Sequence, residues 1–174
     1  MTGNNLLNKL LEAFQDSYDI EQPYDINGDI YDAYAGFYAS SAKYVLIKRA
    51  ELWRANCFEH VFFRSSKNEV TAETIHMFKK QIEEYIEPNL VRQGKRWPEE
   101  NHMYTYITSI YICENGISKE AEKLVRSFRY VKNYKLTIRG YSEARILVFD
   151  LQNSRVFGNR AARELVKGYK KLLT

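Results

Sequence analysis

The residues most able to do chemistry sit on apolar stretches. In the run CFEHVFFRS, Glu59 and His60 are neighbours. On a strand, neighbours point to opposite faces, so each face would receive one titratable group among phenylalanines or valine. A buried ionisable group needs a partner or shifts its pKa. His102 opens a second strand-like run, Asp150 closes a third, and Arg139 flanks a turn. Glu59, His60, His102, Arg139 and Asp150 are therefore the candidate pocket, expected at one end of a sheet. A second set is basic. Lys119, Lys123, Arg126, Arg129, Lys132, Lys135, Arg139 and Arg145 lie close in sequence, interleaved with Tyr130 and Tyr134, and Arg160 follows Gly158-Asn159. Cations with aromatics engage phosphates and stack bases. Arg126, Arg129, Lys132, Arg145 and Arg160 are the candidate anion-binding residues.

Catalytic patterns are missing from the sequence. Metal-dependent nucleases need carboxylates clustered on adjacent strand ends, often with a nearby lysine. Glu143-Ala144-Arg145 is the nearest approach, and its arginine is a poor proton shuttle. Cys57 and His60 have a zinc-like interval but would face opposite ways on a strand, and no second ligand pair follows. There is no phosphate-binding glycine loop, no GxSxG elbow, and no cysteine with a catalytic-type histidine neighbour. No catalytic residue, metal or cofactor is assigned. The reading is a non-catalytic interaction or regulatory domain. The alternative is a nucleic-acid-associated protein, nuclease-like enzymes included, that uses the basic 119–145 segment.

The elements that must position these residues follow from patterning. Leu6, Leu7, Leu10, Leu11 and Phe14 mark an amphipathic first helix, capped at Asn4 or Asn5. Residues 15–29 read as a connector, and Tyr31, Tyr34, Phe37 and Tyr38 suggest a short helix or an arm over 30–42. A sheet is expected from Lys43, where Val45, Ile47 and Trp53 alternate, with a hairpin turn at Arg54–Asn56. Thr71 starts a helix that Pro88 closes, and a charged loop carrying Trp97 follows. Met103–Cys113 reads as a strand. Ser118 caps a helix with Leu124, Val125, Phe128 and Val131 inward and Arg126 beside Arg129. Tyr134, Leu136 and Ile138 alternate with polar residues like a half-wet strand. Ile146–Leu151 is apolar on both parities, which suits a strand covered on both sides. Asn159 caps a last helix through Leu165, Val166, Tyr169 and Leu172.

This order predicts an α/β or α+β domain. About five strands would form a mixed sheet flanked by helices, preceded by an N-terminal helix and arm. The boundaries are 1–42 for the acidic helix and tyrosine-rich arm and 43–174 for a single α/β domain. The chain of 174 residues, 45% apolar, is long enough for a real core. Its net charge of +4 is uneven: residues 1–42 carry −6 and the rest +10. The acidic arm either docks on the basic body or, being tyrosine-rich, on a neighbouring subunit, giving a homo-oligomer. Cys57 and Cys113 read as small buried hydrophobes. With no leader-like or membrane-spanning run, the expected setting is cytoplasmic, with no membrane partner.

Three stretches carry a resemblance: NHMYTYIT (101–108), SFRYVKNYKLTIRGYSEARILVFDL (127–151) and GNRAAREL (158–165), preceded by EPNLVRQGKRWP (87–98). Together they resemble an uncharacterised family of bacterial α/β domains of unknown function that often follow a variable N-terminal segment. The likeness covers residues 43–174. It implies an α/β fold in a bacterial protein and transfers no activity.

Overall fold

A computed structural model describes residues 2–45 and 50–170, with side chains for 2–40 and 55–170. Ile47 and Leu172 lie outside the described residues, as do the side chains of Val45 and Trp53. The elements in order are α1 (Gly3–Phe14), β1 (Asp19–Glu21), β2 (Tyr24–Ile26), β3 (Asp29–Tyr31), β4 (Ala33–Val45) and β5 (Ala50–Ser66). Then come α2 (Ala72–Gln81), a π-helix (Ile82–Val91), β6 (His102–Cys113), α3 (Lys119–Ser127) and β7 (Val131–Asn133). The chain continues through β8 (Tyr141–Asp150), β9 (Arg155–Gly158), a 3-10 turn (Arg160–Ala162) and α4 (Arg163–Tyr169).

One mixed sheet of 7 strands organises the molecule, in the order β1-β4-β5-β6-β8, with β7 and β9 sharing the outer edge of β8. The joins β5/β6 and β6/β8 are parallel, and the others are antiparallel. β2 and β3 form a separate hairpin. Helices cover both faces. Phe62, Ile107, Tyr111, Ile146 and Val148 pack with α2, the π-helix and α3. Val61, Phe63, Ile110, Leu147 and Phe149 pack with the α1 leucines and with Leu165 and Val166 of α4. Burial on both faces explains why Ile107–Cys113 and Ile146–Asp150 are buried at every position, and Leu151, expected to end the second run, is half-buried in the turn after β8.

Several expectations are corrected. Residues 30–42 belong to strands rather than a helix: Ala33 and Ala35 are buried beneath α1 while Tyr34 points the other way, a period of two. Position 42 lies within β4. β5 runs straight through Arg54–Asn56, so the hairpin with β4 is longer than expected. The α1 cap is Thr2, whose hydroxyl accepts from the Asn5 amide. Pro88 does not end its helix. It sits inside the π-helix, where a widened turn relieves the clash of its ring with the preceding turn. Tyr134–Ile138 is a turn instead of a strand. Lys135, Leu136 and Thr137 have φ of 49°, 54° and 70°, and Leu136 is 92% exposed. The reason is topological: β7 and β8 pair at Asn133 and Tyr141, so the intervening residues must reverse the chain. Gly140 (φ 70°) completes the reversal, and a Cβ there would stand 2.1 Å from the Met103 carbonyl oxygen. Val131, expected inward, is exposed. Arg129 leaves the face of Arg126 because α3 ends at Ser127 and Phe128 is extended.

Candidate functional site: buried charges and a basic groove

The five candidate pocket residues are distributed along the sheet. Glu59 lies on the α1 face, accepting from the Tyr18 hydroxyl at 2.8 Å and the Thr108 hydroxyl at 2.7 Å. Arg145 Nη1 stands 3.8 Å from it, and the Arg145 guanidinium lies 3.1 Å from the Tyr106 ring centre. Burial and the adjacent Glu59 carboxylate push the Tyr18 hydroxyl above its ordinary value. His60 points to the opposite face, its Nδ1 2.7 Å from the Tyr34 hydroxyl, and burial lowers its pKa to about 4. A neutral ring there can accept a hydrogen bond from the Tyr34 hydroxyl.

His102 donates from Nδ1 to the Arg139 carbonyl at 2.7 Å, which leaves Nε2 to accept from the Thr105 hydroxyl at 2.8 Å. Burial lowers its pKa, opposed by the Arg139 carbonyl. The Arg139 guanidinium turns away to Glu100 at 3.3 Å. Asp150 is fully buried, accepting from Arg155 Nε at 2.7 Å and from the Asn153 amide at 3.2 Å. In the sheet register Asp150 pairs with Cys113 and His102 with Asn56, at opposite ends of β6. Eleven residues of strand separate those ends, roughly 36 Å. Only His102 and the Arg139 backbone are brought together. Among the described residues no group of three or more His, Cys, Asp or Glu is arranged to hold a metal.

Two polar centres escaped sequence reasoning. Glu87, in the π-helix, is 2% exposed yet charged. It accepts from Arg92 Nε at 2.7 Å, Lys132 at 2.9 Å and the Tyr134 hydroxyl at 3.0 Å. Burial raises its pKa, but the hydrogen bonds from Arg92, Lys132 and Tyr134 outweigh that and hold it below the ordinary value. Sequence spacing concealed the pair, because residues five apart share a face only on a π-helix. The other centre floors a cleft of about 550 Å³ between the β2–β3 turn and α2. There Tyr31 donates to Gln81, while Asp29 accepts from Gln81 and from Arg64 at 2.7 Å. Asn27-Gly28, both at positive φ, marked that hairpin in the sequence.

The candidate anion-binding residues divide. Arg145 is held by Glu59, Lys132 by Glu87 and Arg126 by Glu122 at 2.7 Å. Arg129 and Arg160 are exposed and line a notch of about 360 Å³ with Tyr130 and Glu143. Arg160 also belongs to a groove of about 570 Å³ over β9 and α4, whose cations are Arg126, Arg160, Arg163, Lys167 and Lys170. Among the described residues its lining contains no carboxylate. Arg160, Arg163 and Lys170 form no ion pair among the described residues. The interval of three, four and three from Arg160 to Lys170 is a helical stripe, so Arg163 was legible and was overlooked. Asn159 fixes the geometry. Its Oδ1 accepts from Ile146 N at 3.0 Å and Ala162 N at 3.2 Å, and its Nδ2 donates to the carbonyls of Phe128 at 3.2 Å and Ala144 at 3.0 Å.

A family model, Domain of unknown function (DUF8052), matches residues 2–171. The chain belongs to this family. The DUF8052 match takes in every element from α1 to α4, the groove cations and Glu87 included. No curated protein and no solved structure matches the chain. Membership agrees with the resemblance to an uncharacterised family and brings no activity with it. No described helix is long and apolar enough to cross a membrane.

Proposed function

We propose that the protein is a non-catalytic binding domain and that it holds nucleic acid in the groove over β9 and α4. The carrying observation is the contrast in how charges are used. Glu59, Glu87, Asp29 and Asp150 are each engaged by partners from their own chain, as structural groups are. Three of the five groove cations, Arg160, Arg163 and Lys170, pair with no carboxylate among the described residues, whereas Arg126 and Lys167 pair with Glu122 and Glu164. Lys and Arg that neutralise phosphates release counterions, so such a site binds polyanions in a salt-dependent way. A bacterial setting, which rests on the resemblance, and a cytoplasmic one both belong to this reading.

The test compares the full chain with Arg160→Glu/Arg163→Glu/Lys170→Glu for binding of labelled oligonucleotides at low salt. The wild type is expected to bind and weaken steeply as salt rises, and the triple variant to lose most of its affinity. A wild type that ignores nucleic acid at low salt overturns the proposal. A second reading is self-association. β1 covers β4 only at Tyr34–Gly36, so from Phe37 onward the outer edge of β4 pairs with no strand among the described residues. A concentration-dependent mass by light scattering would support it, and a strict monomer would remove it.

A further inference from the structure

Near the groove lies a part of the sheet that no described helix covers. On the face shared with α1 and α4, residues of one parity belong to the helix-covered core only from Val61 on β5, Ile110 on β6 and Leu147 on β8. Nearer the start of β6 and β8 the same face carries Tyr104, Tyr106 and Tyr141, with Glu59, Glu143 and Arg145. These three tyrosines are half-buried and belong to neither hydrophobic core. They group with one another: ring centres are 4.7 Å apart for Tyr104 and Tyr106, and 6.1 Å for Tyr104 and Tyr141. The Arg145 guanidinium lies over Tyr106 and extends the surface.

Glu143 belongs to both places. It lines the notch with Arg129 and Arg160, and it sits between Tyr141 and Arg145 on the tyrosine face. The notch and the basic groove share Asn159 and Arg160, so cations and tyrosines form one continuous track across the β8 edge.

We infer that the ligand is single-stranded nucleic acid, with phosphates on the cations of α4 and bases on Tyr104, Tyr141 and the Arg145–Tyr106 pair. This rests on the groove being the nucleic-acid site. The two halves of the track have opposite chemistry. The charged residues that line the groove are all cations, whereas Glu143 on the tyrosine face repels phosphate and can accept from base amino groups. A single strand offers those two sides, because its bases are free to stack on aromatic rings or guanidinium planes. A duplex keeps its bases stacked inside and presents phosphate to both halves.

The test uses the full chain with short oligothymidylate, a duplex of equal length, and heparin as a polyanion without bases. Oligothymidylate is expected to bind at least about 10-fold more tightly than the duplex. Tyr104→Ala/Tyr141→Ala should weaken it about 10-fold or more and leave heparin unchanged, in line with the value of base stacking. Tyr104→Phe/Tyr141→Phe keeps the rings and should bind like the wild type, which guards against loss of fold. Equal affinity for duplex and single strand, or alanine variants that bind oligothymidylate normally, overturns the inference. In that outcome groove variants that still lose duplex and heparin leave the proposed function standing. If no nucleic acid binds at all, both fall.

Discussion

Replacing Asn159 with alanine tests how the groove is built. The side chain is 3% exposed and makes four hydrogen bonds to backbone groups of three segments. Ala162 N keeps a partner in the truncated protein, because it also donates to the Asn159 carbonyl at 3.1 Å. Three groups lose theirs: Ile146 N, Phe128 O and Ala144 O. Leaving a buried polar group unsatisfied costs about 1–3 kcal/mol. Allowing for partial relaxation at the two carbonyls, Asn159→Ala should cost about 3–4 kcal/mol, a large share of the roughly 5–15 kcal/mol of a typical domain. Urea unfolding measures this as a lower midpoint at unchanged slope. Asn159→Asp separates the causes. Aspartate caps a helix as well as asparagine does, so it would restore stability if capping dominated. It cannot donate to Phe128 and Ala144 and would set a carboxylate against their oxygens, so it should do no better than alanine. An alanine variant within about 1 kcal/mol of the wild type, or full rescue by aspartate, refutes the reasoning.

Glu87→Gln preserves shape but leaves Arg92 and Lys132 without their carboxylate, and should cost about 3 kcal/mol by urea unfolding. The Glu87 pKa is depressed in the folded state, so its contribution is complete above the ordinary carboxylate range. It fades as pH falls through the folded value, and the gap between variant and wild type should narrow there. His60 acts in the same direction over a higher range: with its folded pKa lowered to about 4, the unfolded chain takes up a proton that the native state refuses. Stability should therefore drop as pH falls from about 6.5 to about 4, and His60→Gln should flatten that slope by up to about 3 kcal/mol. Gly140→Ala meets both a positive φ and the Met103 carbonyl, and should cost more than about 2 kcal/mol by urea unfolding. Gly94→Ala has a similar φ of 72° and nothing within 4 Å, and should cost only about 1 kcal/mol.

Residues whose environment is set by their own neighbours in sequence were legible. Ile146–Asp150 declared its double burial through the loss of alternation, and Ser118 and Asn159 declared their caps. Tyr134–Ile138 shows the limit. Its alternation is real, but where β7 stops depends on its register with β8, which local pattern does not encode. Glu59 and His60 were rightly separated onto two faces, yet their partners Tyr18, Thr108 and Tyr34 come from elements whose positions only the folded sheet defines. The tyrosine face was hidden for the same reason. Tyr104 and Tyr106 read as ordinary strand residues until α1 and α4 are seen to stop short of them.

The π-helix from Ile82 to Val91 has a consequence for how this chain can vary in length. Arg92 reaches Glu87 because the backbone there closes its ring across five residues, with Arg92 N donating to Glu87 O at 3.0 Å. Removing one residue between them, Asn89 for instance, would put Glu87 and Arg92 four apart, the spacing at which an α-helix keeps two side chains on one face. The coil could then tighten to α with the ion pair kept, whereas an added residue would put the two six apart, on different faces of either kind of helix. The buried anion would therefore keep its main counter-ion in a chain shortened there and lose it in one lengthened there, so this stretch is expected to lose a residue more readily than it gains one.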